Sequence, residues 1–238
     1  MIAVHPLSAI GEVHPGANLA GLLIAALDAA GLTLCAGDVL VVTQKIVSKA
    51  EDRFVALTDV TPSVRAIELA GITRKDPRLV ELVLTESSEV VRAVPHVLIT
   101  RHRSGLVMAN AGIDRSNLGP GHENAALLLP IDADASADRL CADLASAWAG
   151  SPAVVISDSF GRPWRYGVTN VAIGVAGLPA LVDRRGENDR DGRLLEVTQV
   201  ALGDMVASAA GLAHGEGAEG VPAALVRGLS WELSLIHI

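Results

Sequence analysis

Aromatic residues make up only 3% of this 238-residue chain. A core must therefore come from its Ala, Val and Leu residues, and at 50% hydrophobic content there are enough for one large domain or two lobes. Cysteine is nearly absent. Cys35 and Cys141 lie far apart with no CxxC pairing, which argues against a disulfide framework or a zinc site and fits a reduced, cytoplasmic setting. Long apolar runs are also missing. The longest stretch, "LAGLLIAALDAAGL", is broken by Asp28 and Gly31 before it could cross a bilayer. The first residues lack the basic start and long apolar segment of a secretion signal. Positive charge is outweighed, with 19 Lys and Arg against 27 Asp and Glu, a net of −8. That balance repels a phosphate backbone, so bulk nucleic-acid binding is not expected, although a local cationic pocket remains compatible with it. No Walker A loop, no GxGxxG after a strand and no HExxH occur, and no Ser-His-acid spacing stands out among the seven histidines.

What is present is an irregular mixture of two periodicities. Strands are predicted at Asp38–Gln44, His96–Arg101, Gly105–Gly112, Ala153–Ser157, Val171–Gly177 and Ala223–Gly228. Helices are predicted at Leu19–Ala30, Thr61–Ala70, Pro77–Thr85, Ala137–Ala149 and Gln199–Ala213. Asp76 before Pro77 reads as an N-cap with Pro in the first turn, and Ser136 and Thr198 are the caps expected for the last two helices. "RHRSG" reads as a hairpin turn. Without a regular βαβ beat, the expected class is α+β, or irregular α/β.

Polar clusters follow three of the strands. In "VVTQKIVSKAEDR", Gln44, Lys45, Ser48 and Lys49 follow a buried strand. They suit phosphate as donors and point charges, and equally suit a solvated strand end. In "ANAGIDRSNLGPG", small residues let the backbone bend, and Asp114 and Asn117 project from it. Such residues are ordinary turn formers and also common holders of a hard cation. In "VVISDSFGRPWRYG", Asp158 and Ser159 place two oxygen donors together after an apolar run, with Arg162, Trp164 and Arg165 close behind. Magnesium and manganese take oxygen ligands, typically one or two carboxylates plus substrate phosphates. Together the clusters suggest a site for a nucleotide and a divalent metal, of the kind used in phosphoryl transfer. The polar stretch Val182–Arg193 reads as a solvated loop or as a lid over a charged ligand.

The blocks "VVTQKIVSKAEDR", "LVMANAGIDRSN", "VVISDSFGRPWRYG" and "GEGAEGVPAALVRG" resemble, in order, the signature blocks of the coenzyme F-420:L-glutamate ligases, also called F-420-0:gamma-glutamyl ligases. The resemblance implies a two-lobed α+β fold and a homodimer. It implies an enzyme that uses GTP and Mg2+ or Mn2+, with K+ as a further candidate ion, to join L-glutamate to a lactyl-phospho deazaflavin precursor and then to extend it through gamma linkages. Carried onto this sequence, Asp114, Asp158 and Ser159 would be metal ligands. Gln44, Lys49 and Asn117 would contact GTP, as would the segment Ile10, Gly11, Glu12 and Val13, where the family usually has Leu-Pro in place of Ile10 and Gly11. Asp114, Asp158 and Lys49 would carry the catalysis. Two rivals stand beside this expectation: a GTP-dependent ligase for another carboxylate acceptor, and a non-catalytic nucleotide- or deazaflavin-binding module. The ligase domain is expected to span residues 1–232. The apolar tail Leu233–Ile238 matches a translated sequencing adapter and is expected to be non-native, with the natural chain continuing, in some relatives into an FMN-binding domain.

Overall fold

Val39, Leu40, Val41 and Val42 are all fully buried, so both faces of their strand are covered. That is why the segment reads as a continuous apolar run and not as an alternation. In the computed structural model, which describes residues 1–147 and 152–231, the elements follow in chain order. They are β1 (Ala3–Leu7), α1 (Leu19–Ala29), β2 (Val39–Thr43), α2 (Gln44–Ala50), β3 (Phe54–Ala56), α3 (Val64–Thr73), α4 (Pro77–Thr85), β4 (Ser87–Val94), β5 (Val97–His102) and β6 (Val107–Ala109). Then come β7 (Ala125–Leu127), α5 (Ala133–Ala147), β8 (Ala153–Gly161), β9 (Val168–Ala176), β10 (Val182–Asp183), β11 (Gln199–Val200), α6 (Leu202–His214) and β12 (Ala223–Arg227). The class is α+β, as the mixed periodicities predict. No helix among the described residues is long and apolar enough to cross a membrane.

The central sheet has the order β1-β12-β2-β8-β9, with β2 and β8 parallel and the other pairs antiparallel. One face carries Leu40, Val42, Val154 and Ile156 against Leu23 and Leu27 of α1 and Leu140 and Leu144 of α5. The other carries Val39, Val41, Val155 and Val226 against Val206, Ala207 and Ala210 of α6. Each such Val or Leu contributes roughly 1.5–3 kcal/mol by leaving water. A separate core joins α3 and α4 to the meander β4-β5-β6, through Leu57, Ala66, Val80, Val83 and Leu98.

Gly174 marks a tight approach. A Cβ there would lie 2.2 Å from the carbonyl oxygen of Ala133, at the start of α5. Backbone cannot swing aside as a flexible side chain can. Gly174→Ala is therefore expected to destabilise the fold by about 2–3 kcal/mol, read as a lowered denaturant midpoint. An unchanged midpoint would show that α5 packs against β9 more loosely than this.

The Asp76 cap is confirmed, its carboxylate accepting from the Arg78 amide at 2.9 Å with Pro77 in the first turn. "RHRSG" does turn a hairpin, between β5 and β6. The other two predicted caps are corrected. The α5 helix starts at Ala133, because Asp132 accepts from the Ala135 amide at 2.9 Å, and Ser136 lies inside it, buried and bonded to Glu51. Thr198 precedes no helix. Gln199 and Val200 pair with β10, and α6 begins only at Leu202. The predicted strand Gly105–Gly112 is cut short at Ala109 by a 3₁₀ turn in which Asn110 and Ala111 adopt positive φ, near +52° and +53°. The predicted end of α5, Trp148 and Ala149, and the tail Leu233–Ile238 lie outside the described residues.

Candidate active site

The strand β2 ends beside its parallel neighbour β8, with Thr43 paired to Ser157. Parallel strands bring their carboxyl ends to one edge, and in sheets of this kind that edge is where ligands are taken. After Thr43 the chain turns directly into α2. Lys45 and Lys49 stand four residues apart, so they share one helix face. That face opens on a cleft of about 610 Å3.

The cleft brings together the residues that the family resemblance points to. Ile10, Gly11, Glu12 and Val13 lie on its wall, as do Gln44 and Lys49, Asp114 and Asn117, and Asp158 and Ser159. These come from four separate places in the chain. Gln44 is buried and accepts from Ser48 Oγ at 2.9 Å. Lys49 is buried and ion-paired with Glu12. Asn117 sits at φ +53°, where Asn is among the residues that tolerate a left-handed backbone. Its Nδ2 donates to the Gly217 carbonyl at 3.4 Å.

The two aspartates differ in electrostatic character. Burial pushes the Asp114 carboxyl up, but hydrogen bonds from Lys45 and Ser116 outweigh that and hold it below the usual carboxylate range. Its Oδ1 accepts from the Ser116 amide at 2.7 Å and from Ser116 Oγ at 2.8 Å, while Oδ2 is paired with Lys45. Burial pushes Asp158 up to about 7; the Ser159 amide pulls the other way, and Asp114 and Glu216 add repulsion that Lys45 partly offsets. Asp158 is half-buried and lines the cleft. Such a carboxylate gains much from a cation beside it. Among the described residues no three His, Cys, Asp or Glu side chains gather into a metal cage. Two carboxylates and a hydroxyl nevertheless suit magnesium or manganese, which keep several waters and take oxygens from phosphates. The donor set therefore fits the metal that the resemblance implies.

Several lining residues escaped the sequence reading. Lys45, one member of the polar cluster after β2, holds Asp114. The loop after α6, Gly215–Pro222, lines the cleft with Glu216 and Glu219, and Pro222 accepts from the Thr43 amide at 2.9 Å. Its glycines were a visible signal, with Gly215 and Gly220 at φ +70° and +67°. Ser157, Asn170 and His214 also lie in the wall.

Two expectations are corrected. The apolar run at Val154 does not stop at Ser157. It continues as β8 to Gly161, because Asp158 to Gly161 pair with Val168 to Val171 of β9, so the aspartate lies within a strand. This carries Arg162, Trp164 and Arg165 out to a hairpin tip, where Trp164 is 93% exposed, and neither arginine lines the cleft. The Val182–Arg193 stretch is tied down by the β10-β11 pair and by internal ion pairs Arg184–Glu187 and Arg185–Asp183. None of its residues lines the cleft, so it is no lid in this conformation.

His214 gives the cleft a pH signature. Burial lowers its pKa from 6.5 to about 4. Between those values the unfolded chain binds the proton that the folded chain refuses, so stability falls as pH drops from about 6.5 toward 4. Relative to His214→Leu, the wild-type protein should lose on the order of 1–2 kcal/mol between pH 7 and pH 5 in denaturant titrations. Parallel curves for the two proteins would place the ring in water.

The sequence profile of F420-0:Gamma-glutamyl ligase matches residues 9–228. The chain is 44% identical over 231 residues to the Coenzyme F420:L-glutamate ligase of Methanothermobacter thermautotrophicus, covering 97% of this chain and 89% of that protein. It is 48% identical over 222 residues to the enzyme of the same name from Natronomonas pharaonis, covering 91% and 82%.

Proposed function

The chain belongs to the F420-0:gamma-glutamyl ligase family, and from that premise we propose that it is a GTP- and metal-dependent, GDP-forming ligase. It joins L-glutamate to the lactyl-phospho deazaflavin precursor of coenzyme F-420 and then adds further glutamates through gamma linkages. The observation that carries this reading is the convergence of Asp114, Asp158, Lys45 and Lys49 on one cleft.

A carboxylate is a poor electrophile, so it must first be activated. Its oxygen attacks the γ-phosphorus of GTP, the bond to GDP breaks, and an acyl phosphate forms. The glutamate amine then attacks the acyl carbon, phosphate leaves with the electron pair, and the amine nitrogen sheds a proton. Bound magnesium or manganese would offset the charge of the transferring phosphoryl group and orient it. Asp114, Asp158 and Ser159 are the residues that would hold it. Lys49 faces the cleft from α2 and supplies a fixed positive charge for phosphate oxygens. Lys45 keeps Asp114 ionised and oriented. Gln44, Asn117 and Ile10–Val13 complete the wall against which the nucleotide lies. K+ is a further candidate ion, and the setting is cytoplasmic. Two copies associate, for which the exposed Trp164 and Tyr166 at the hairpin tip offer contact area.

The test is mass spectrometry of the deazaflavin precursor after incubation with protein, GTP, manganese and L-glutamate. Mass gains of one or more glutamyl units that require GTP are expected. Nucleotide binding without any mass gain would point to a different acceptor or to a binding module.

A further inference from the structure

Buried polar atoms without partners are rare in folded proteins. Three of those found among the described residues belong to side chains of this one cleft wall: Ser157 Oγ and both ring nitrogens of His214. Ser157 is 1% exposed and His214 5%. The Val41 backbone comes near the imidazole without reaching hydrogen-bond geometry.

Strand alternation puts these groups on one side. Val41 and Val155 face α6, so Thr43 and Ser157, two residues further along β2 and β8, face α6 as well. On β9, Ala172 faces α6 and Asn170 follows on the same face, buried to 7% exposure. Its side chain lies against Gly211, where a Cβ would come within 2.8 Å of Asn170 Oδ1. Gly211 and His214 are three residues apart, on one face of α6. The glycine leaves room for the carboxamide, and the imidazole stands one turn further toward the cleft. Lys45 and Lys49 belong to a different element, α2.

We propose that Ser157, Asn170 and His214 form a subsite for the uncharged hydrogen-bonding edge of a substrate heterocycle, not for its phosphates or carboxylates. The assignment rests on the ligase reading above and names a part of that cleft which the reading leaves without a role. A hydroxyl, a carboxamide and a neutral imidazole each donate and accept. A lactam edge, with N–H and C=O side by side, also does both. A phosphate only accepts and would leave the acceptor atoms of this wall unpaired. His214 stays neutral near pH 7, because burial keeps its pKa at about 4. Two substrates carry such an edge, the guanine of GTP and the deazaflavin ring of the acceptor.

Titration calorimetry separates the sources. Wild-type protein, Ser157→Ala and His214→Leu are each titrated with GTP, with the unglutamylated deazaflavin and with inorganic triphosphate. Each variant is expected to bind one heterocycle about tenfold more weakly, while triphosphate moves less than twofold. Loss confined to GTP assigns the guanine, and loss confined to the deazaflavin assigns the acceptor. Removing an unpartnered buried hydroxyl or imidazole relieves a desolvation cost, so both variants should melt no lower than wild type. Unchanged affinity for both heterocycles in two folded variants would overturn the subsite and leave those atoms simply hydrated. Equal weakening of triphosphate would overturn it too, since the residues would then be phosphate contacts. A wild-type protein that binds neither heterocycle would overturn the ligase reading itself, and the subsite with it.

Discussion

Asp158→Asn should lower GTP-dependent glutamate addition by at least about 10³-fold while leaving the fold intact. Loss of an outer partner of a metal site typically costs 10- to 100-fold, and Asp158 would be a ligand itself. Asn keeps the shape, and its oxygen can still accept from the Ser159 amide, as the carboxylate does at 2.9 Å. What disappears is negative charge in an enclosed place facing Asp114 and Glu216. That charge is a burden to the ligand-free protein, so at pH 8 the variant should melt no lower than wild type. Asp114→Asn makes the informative contrast. The Asp114 carboxylate already balances Lys45 and accepts from Ser116. Its loss should remove activity and also lower stability, because Lys45 is left facing an amide. Activity by mass spectrometry and melting by calorimetry, measured on both variants, test the pair of statements. Full turnover by Asp158→Asn would remove Asp158 from the metal site. A fall in melting temperature equal to that of Asp114→Asn would instead mean that Asp158 is held by partners not seen here.

How far this site could be read in advance differed with the kind of interaction involved. The segment Val39–Val42 announced itself because burial on both faces demands an unbroken apolar run. The Asp76–Pro77 start of α4 was equally plain, since cap and first-turn chemistry are local. By contrast, α2 was hidden. It is short and follows β2 without a linker, so its lysines looked like a solvated strand end. The continuation of β8 past Ser157 was hidden too. Asp158, Ser159 and Gly161 are poor strand formers, and only pairing with β9 holds them extended. That pairing is also what moved Arg162 and Arg165 away from the cleft. That Gln44, Lys49, Asp114, Asn117, Asp158 and Ser159 would gather in one place was legible through resemblance to whole sequence blocks. The wall formed by Ser157, Asn170 and His214 was not, because it depends on which face of the sheet α6 covers, a tertiary fact that no single block contains.

Lys49→Met is the second variant expected to have a large effect, on nucleotide binding and turnover together. Lys49 has a side chain only 6% exposed and, among the described residues, one acidic partner, Glu12, which is 42% exposed. Breaking a buried pair costs about 3–5 kcal/mol when the surviving charge stays trapped. Here the survivor is Glu12, which can turn to water, and methionine fills most of the volume that the lysine stem occupied. The stability cost should therefore stay near 1 kcal/mol, within the range of ordinary substitutions. The functional cost should be much larger. In the ligand-free cleft Glu12 occupies the ammonium group, so an incoming phosphate must compete with a carboxylate for it. With the lysine gone, the phosphate meets Glu12 and neighbouring acids without that cation. GTP affinity should fall at least about 100-fold, as expected for a lost charge-assisted contact compounded by repulsion. Glu12→Gln should act in the opposite direction, freeing Lys49 and tightening GTP binding several-fold at low salt. Calorimetric titration of GTP into the two variants is the measurement. Weakening by both substitutions would make the Lys49–Glu12 pair itself the element that nucleotide requires. Weakening by Lys49→Met with tightening by Glu12→Gln would establish Glu12 as the counter-ion that the nucleotide displaces.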